Sequence, residues 1–125
     1  MEFLGVSAFS YCEKLEKITL SESLKTISDH AFSGCEKLTE ITIPESVTHI
    51  GGSAFEGCTR LTTLTISNKT TDVDKYAFSG AALTNITFKG TREEWDKIKK
   101  KFPSGVTVVC DDDNGGNSGN DGNNG

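Results

Sequence analysis

The sequence is poor in several features that would announce a function. Its 125 residues include only two prolines, one methionine, one tryptophan and two histidines. No stretch approaches the roughly 18 apolar residues that a membrane span needs. The opening Met1-Glu2-Phe3-Leu4 has neither the basic start nor the long apolar run of a secretion signal. Basic residues are not in excess: 18 acids face 13 bases, a net charge of −5. Four of those acids are aspartates within 111–125, so 14 acids and 13 bases remain in the body, which is close to neutral. A nucleic-acid-binding protein needs a basic stripe, and the body has none. Lys97, Lys99, Lys100 and Lys101 do cluster, but at the end of an expected helix, where cations complement the dipole.

The C-terminal fifteen residues hold only Asp, Asn, Gly and one Ser. Without an apolar side chain such a segment cannot offset the entropy of ordering, and 111–125 is expected to be a flexible tail. Its first residues loosely resemble a calcium-binding EF-hand loop. The fifth position is Gly115, however, and the twelfth is Gly122, where such a loop needs a bidentate glutamate.

What the sequence does have is a repeat. Ala-Phe recurs at Ala8-Phe9, Ala31-Phe32, Ala54-Phe55 and Ala77-Phe78, always 23 residues apart. Cys12, Cys35 and Cys58 keep that period, as do Leu15, Leu38 and Leu61, and Ile18, Ile41 and Leu64. One unit holds Leu24, Ile27, Ala31, Phe32, Cys35, Leu38, Ile41 and Ile43; the next holds Val47, Ile50, Ala54, Phe55, Cys58, Leu61, Leu64 and Ile66. The last unit degrades: Thr70 is polar, Ala81 replaces the cysteine, and one residue is missing before Leu83. Eight apolar residues in 23 cannot enclose a private core. Stacked copies can share one, because each covers its neighbour. The expected fold is therefore an α/β solenoid.

Within a unit, Leu38 to Ile43 alternates at its end as a strand with one buried face does. Val47 to Ile50 reads as a second short extended segment, Gly51-Gly52 as a bend, and Ser53 to Cys58 as about one helical turn. After the repeats, Thr91-Arg92-Glu93-Glu94 fits a capping box. Trp95, Ile98 and Phe102 then form one apolar stripe on a helix of about three turns. Pro103 stops the helix, and Val106 to Cys110 reads as a strand. The expected organisation is a repeat stack over 1–90, whose first unit is truncated, a cap over 91–110 and the tail. Trp95 is read as a cover for the open end of the stack rather than a ligand anchor.

The unit Leu38-x-x-Ile41-x-Ile43-Pro44-x-x-Val47-x-x-Ile50-Gly51-x-x-Ala54-Phe55-x-x-Cys58 closely resembles the BspA-type leucine-rich repeat. Ile86 to Trp95 followed by Val106 to Cys110 looks like the closing module of its bacterial members. The resemblance covers about 110 residues. It implies a leucine-rich-repeat fold, placement at the cell surface or secretion, and adhesion to host proteins or to other cells. Because the chain starts in mid-unit, a longer parent protein is expected. An uncapped first unit, with Met1, Leu4, Phe9 and Leu15, predicts an exposed apolar edge and either fraying or end-to-end self-association.

Catalytic and metal chemistry find no support in the spacing. Cysteines in successive rungs lie about 4.8 Å apart in a row, which gives zinc no tetrahedron. They read as small buried hydrophobes, although a disulfide between neighbouring rungs is conceivable. His30 and His49 fall at different repeat positions and do not form a pair. No serine lies in a nucleophile elbow. No cofactor is expected. The candidate binding residues are those between the buried ones of each principal strand. One column is Lys17, Glu40, Thr63 and Asn85; the next is Thr19, Thr42, Thr65 and Thr87. In leucine-rich-repeat solenoids this face is typically concave and binds proteins. The threonine column also has a plain explanation, since stacked β-branched residues suit strands. Two roles compete: a non-catalytic module that binds a protein ligand, and a spacer or stalk that presents another domain.

Overall fold

The computed structural model describes residues 3–5 and 8–114. Met1, one of the expected apolar edge positions, and the tail from 115 onward lie outside the described residues. Two parallel sheets run along the stack. The first joins β1 (Phe3–Leu4), β2 (Thr26–Ile27), β4 (His49–Ile50) and β6 (Asp72–Val73), in the order β1-β2-β4-β6. The second joins β3 (Glu40–Thr42), β5 (Thr63–Ser67), β7 (Asn85–Lys89) and β8 (Thr107–Cys110), in the order β3-β5-β7-β8. Every pairing is parallel: the second, third and fourth units each contribute one strand to each sheet, the first contributes only β1, and the chain advances by one rung per turn.

Repetition in sequence becomes columns in space. Ile41, Leu64, Ile86 and Val108 stand in register across the second sheet, and Ile27, Ile50 and Val73 across the first. The phenylalanines form a ladder through the interior: Phe9, Phe32, Phe55 and Phe78 stack with ring centroids 5.3, 5.2 and 5.0 Å apart. Phe32 and Phe55 are fully buried and Phe78 nearly so. Each aromatic pair adds about 1 kcal/mol beyond the area it buries. The residue missing before Leu83 falls in the irregular stretch between the last turn and β7, so Leu83 is still buried and β7 keeps its register with β5.

Two positions that look degraded or merely apolar in the sequence carry hydrogen bonds. Thr70 stands where Leu24 and Val47 stand in earlier units, and it is fully buried. Its hydroxyl donates to the Val47 carbonyl at 2.6 Å, which removes the penalty of burying it. The cysteine column also bonds between rungs: the Cys35 thiol donates to the Phe9 carbonyl at 3.0 Å and the Cys58 thiol to that of Phe32 at 3.1 Å. Burial pushes the Cys58 thiol up to about 12 and raises that of Cys35 as well. All four cysteines are free.

The single turn expected over Ser53 to Cys58 is present as linked β-turns rather than a helix. The reason is the destination of its N–H groups. Those of Glu56 and Cys58 go back three residues, to Ser53 and Phe55, whereas those of Phe55 and Gly57 cross to Ala77 and Ser79 of the next unit. A helix would keep all of them inside the segment. Gly34, Gly57 and Gly80 close these turns with φ of 77°, 75° and 80°. Tyr11 occupies the same place in the first unit at φ 59°, a conformation that strains a side-chain-bearing residue.

The closing segment imitates a further rung. The capping box is formed: the Thr91 hydroxyl accepts from the Glu94 N–H, and the Glu94 carboxylate accepts from the Thr91 N–H. Asn68 of the third unit donates to the same carboxylate at 3.1 Å, which ties the helix to the stack. The helix itself is shorter than expected. α1 covers Arg92–Ile98, and a 3₁₀ turn over Lys99–Lys101 follows, so Phe102 lies beyond it. That places the Phe102 ring 5.3 Å from Phe78 and 5.0 Å from Trp95, where it continues the phenylalanine ladder. Trp95 is only 4% exposed and also meets Phe88, at 5.4 Å.

The tail boundary needs a correction. Asp111–Asn114 is a 3₁₀ turn held to the cap, not the start of a free segment. The Asp113 carboxylate accepts from the Cys110 N–H at 2.8 Å and from the Arg92 guanidinium, and Asp112 accepts from the Arg92 backbone N–H at 3.0 Å. Composition marked these aspartates as disordered because it takes no account of partners supplied by a distant arginine.

Candidate functional site

The alternation of the principal strands decides which side chains face out. In β3 the pattern is exposed, buried, exposed for Glu40, Ile41 and Thr42; β7 alternates through Asn85, Ile86, Thr87, Phe88 and Lys89 in the same way. Register then assembles the columns. Glu40 pairs with Thr63, and Thr63 with Asn85; Thr42 pairs with Thr65, and Thr65 with Thr87. Six of the eight candidate residues thus share one face. Thr63 and Thr65, in the middle of it, are half-buried. Lys17 and Thr19 are exposed but belong to no strand. Lys17 is joined to the face by an ion pair, 3.2 Å from Glu40. Both side chains of that pair are well solvated, so it neutralises local charge and contributes little stability.

The face extends further than its sequence pattern indicated. Thr107 and Val109 of β8 pair with Asn85 and Thr87 and complete both columns. Val109 is 45% exposed, the one large apolar side chain on this surface to be so open. The parity of Val106 to Cys110 contained that signal, but the pairing partner of β8 did not show in the sequence. Across the ends of the strands runs a groove of about 730 Å³, bordered by Lys17, Glu22, Thr42, Glu45, Ser67 and Lys89 among others. Ser46 also lines it, and its hydroxyl is buried without a hydrogen-bond partner among the described residues. The cause is local. In the preceding unit the equivalent Ser23 hydroxyl shares a hydrogen bond with the Ser21 hydroxyl, 2.8 Å away, and Pro44 stands in the place of Ser21 with no such group to offer.

Elsewhere the two histidines stand apart. His49 lies 2.9 Å from Asp72 across the first sheet, and His30 sits on a turn at φ 60° with its N–H on the Gly52 carbonyl. Among the described residues no group of three or more His, Cys, Asp or Glu side chains is arranged to hold a metal ion. No described helix is long and apolar enough to cross a membrane.

Rungs of 23 residues, two parallel sheets and an interior aromatic ladder define a leucine-rich-repeat solenoid. The chain belongs to the BspA-type family of such proteins: the family model for the BspA type leucine rich repeat region (6 copies) matches residues 1–102. Among solved structures it is similar to a leucine rich cell surface protein from Faecalibacterium prausnitzii A2-165, with 35% identity and a TM-score of 0.73. The match covers 79% of this chain and 26% of that one, so the chain spans about a quarter of that protein's length. None of the curated proteins matches the chain.

Proposed function

We propose that this chain is a non-catalytic protein-interaction module of a bacterial surface or secreted protein, which serves adhesion to host proteins or other cells. Lys17, Thr19, Glu40, Thr42, Thr63, Thr65, Asn85 and Thr87 form its contact surface. The observation that carries the reading is the in-register outward face. Its backbone is fixed by pairing on both sides of β5 and β7, so the side chains are presented without further backbone ordering cost. The first column changes chemistry from rung to rung, as recognition requires, while the threonine column gives an uncharged, β-branched floor. The groove adds the unpartnered Ser46 hydroxyl beside Pro44. Surface placement is supported by the relative that is a cell surface protein.

The test is capture from extracellular proteins and cell-surface extracts. The bait is the chain, compared with a folded variant carrying Lys17→Glu, Glu40→Lys and Thr63→Lys. A protein held by the parent and lost by the variant is the expected result. Equal recovery places binding elsewhere, and no capture at all favours the spacer role.

A further inference from the structure

Among the described residues β8 is the last strand of its sheet and has no strand on its outer side. Backbone groups of alternate residues point to that side. The Thr107 N–H goes inward, to the Thr84 carbonyl at 2.8 Å, so Thr107 and Val109 serve β7 while Val108 and Cys110 serve the open edge. Side chains rather than a strand engage one backbone group of each of those two residues. The Val108 carbonyl accepts from Arg92 Nη2 at 2.9 Å, and the Cys110 N–H donates to Asp113 Oδ2 at 2.8 Å. The same Asp113 oxygen accepts from Arg92 Nη2, which closes a clasp. One guanidinium and one carboxylate therefore stand in for the N–H and C=O that an added strand would bring. The clasp is open to water, with the Arg92 and Asp113 side chains 41% and 29% exposed.

Beside it lies a hollow of about 490 Å³. Trp95, Phe102 and Val106 contribute apolar surface to it, and Arg92, Lys99 and Lys100 supply positive charge. Lys99 pairs with Asp96 at 3.3 Å, whereas Lys100 has no ion pair among the described residues. Unpaired edges are templates for strand addition. This one has an apolar hollow and a cationic rim, and it already holds an acidic segment of its own chain.

We propose that the outer edge of β8 is a docking site for an extended acidic peptide of another protein. The peptide adds as a strand beside Val108 and Cys110, sets an apolar side chain in the hollow, and presents carboxylates to Arg92 and Lys100. Asp113 holds the place when no partner is bound and competes with it. This site is separate from the outward strand face and stands or falls independently of it.

The probe is a labelled peptide of alternating valine and aspartate, with an asparagine counterpart as control. Binding is followed by fluorescence anisotropy and by the amide resonances of Val108 and Cys110, in the full chain and in Asp113→Ala. Removal of the competitor is expected to tighten binding of the acidic peptide at least about tenfold, to move those resonances, and to leave the asparagine peptide about tenfold weaker. Adding Arg92→Ala is expected to abolish the gain. Equal affinity of the parent and a folded Asp113→Ala, or equal binding of the two peptides, overturns the proposal. So does dimerisation of Asp113→Ala without peptide, which assigns the edge to a second copy. Should Asp113→Ala fail to fold, Asp113→Asn keeps an acceptor for Cys110 and weakens the hold on Arg92; no gain in that variant is equally decisive against it.

Discussion

The two ends of the stack are held very differently. At the C-terminal end α1, Phe102 and β8 cover the last rung, and the Arg92–Asp113 clasp covers β8 in turn. At the N-terminal end Lys17 to Leu20, where a principal strand is due, forms none, and Ile18 is only half-buried. Only the bonds at the start of the principal strands grade between these extremes: from Thr39 to Glu16 the N–H to carbonyl distance is 3.3 Å, from Thr62 to Thr39 3.0 Å, and from Thr84 to Thr62 2.9 Å, whereas in the turns Phe9 to Ala31, Phe32 to Ala54 and Phe55 to Ala77 are all 2.7 Å. The principal strands follow the same trend: three residues in β3, then five in β5 and five in β7. A unit of this kind is as well formed as its neighbours allow, because half of its core belongs to them. The first unit also carries Tyr11 at the φ where its sister units have glycine, a second and local reason for looseness.

The comparison is broken most strongly at the aromatic ladder. Phe55 stacks on both sides and is fully buried, so Phe55→Ala should cost about 4 kcal/mol in urea unfolding. Phe9 stacks on one side and is half-buried, and Phe9→Ala should cost about 1 kcal/mol. Equal losses at the two positions would mean that the ends are equivalent after all. Trp95→Ala comes next, at about 3 kcal/mol, since it opens a cavity among Phe88, Phe102 and the helix that spans them. An unfolding midpoint unchanged by that substitution would deny α1 its capping role.

A smaller effect separates the cap from the repeats by pH. Hydrogen bonds from the Thr91 N–H and from Asn68 hold the Glu94 carboxyl below the usual carboxylate range. Burial works to raise Asp113, but the Cys110 N–H and Arg92 outweigh it and the net shift is downward. A carboxyl depressed in the folded state stabilises it fully above the unfolded value of about 4, and that contribution is lost as pH falls through the folded value. Trp95 fluorescence should therefore be constant from neutral pH to about 5 and should report loosening of the cap below about 4. A transition centred near pH 6 would point to other groups.

Much of this architecture was legible because repetition carries its own register. The phenylalanine and cysteine columns, the alternation of the principal strand and the capping box all follow from residues a fixed distance apart. What escaped the sequence were partnerships without a period. Thr70 looks like a broken position until its hydroxyl is seen on the Val47 carbonyl. Phe102 reads as a helix-stripe residue, yet it extends a ladder begun at Phe9. Asp112 and Asp113 read as tail until Arg92 meets them from twenty residues upstream. The outward columns of the middle rungs could be placed from alternation alone, whereas their continuation through Thr107 and Val109 depended on β8 pairing with β7.

The central claim, that the outward strand face is the binding surface, is tested most directly by titrating the captured partner against two charge variants of equal stability. One carries Thr42→Arg, Thr65→Arg and Thr87→Arg on the outward column; the other carries Glu56→Arg on the exposed turns. Loss of binding in the first with affinity retained in the second is the predicted result. Unchanged affinity in the first, or loss in both alike, would contradict it.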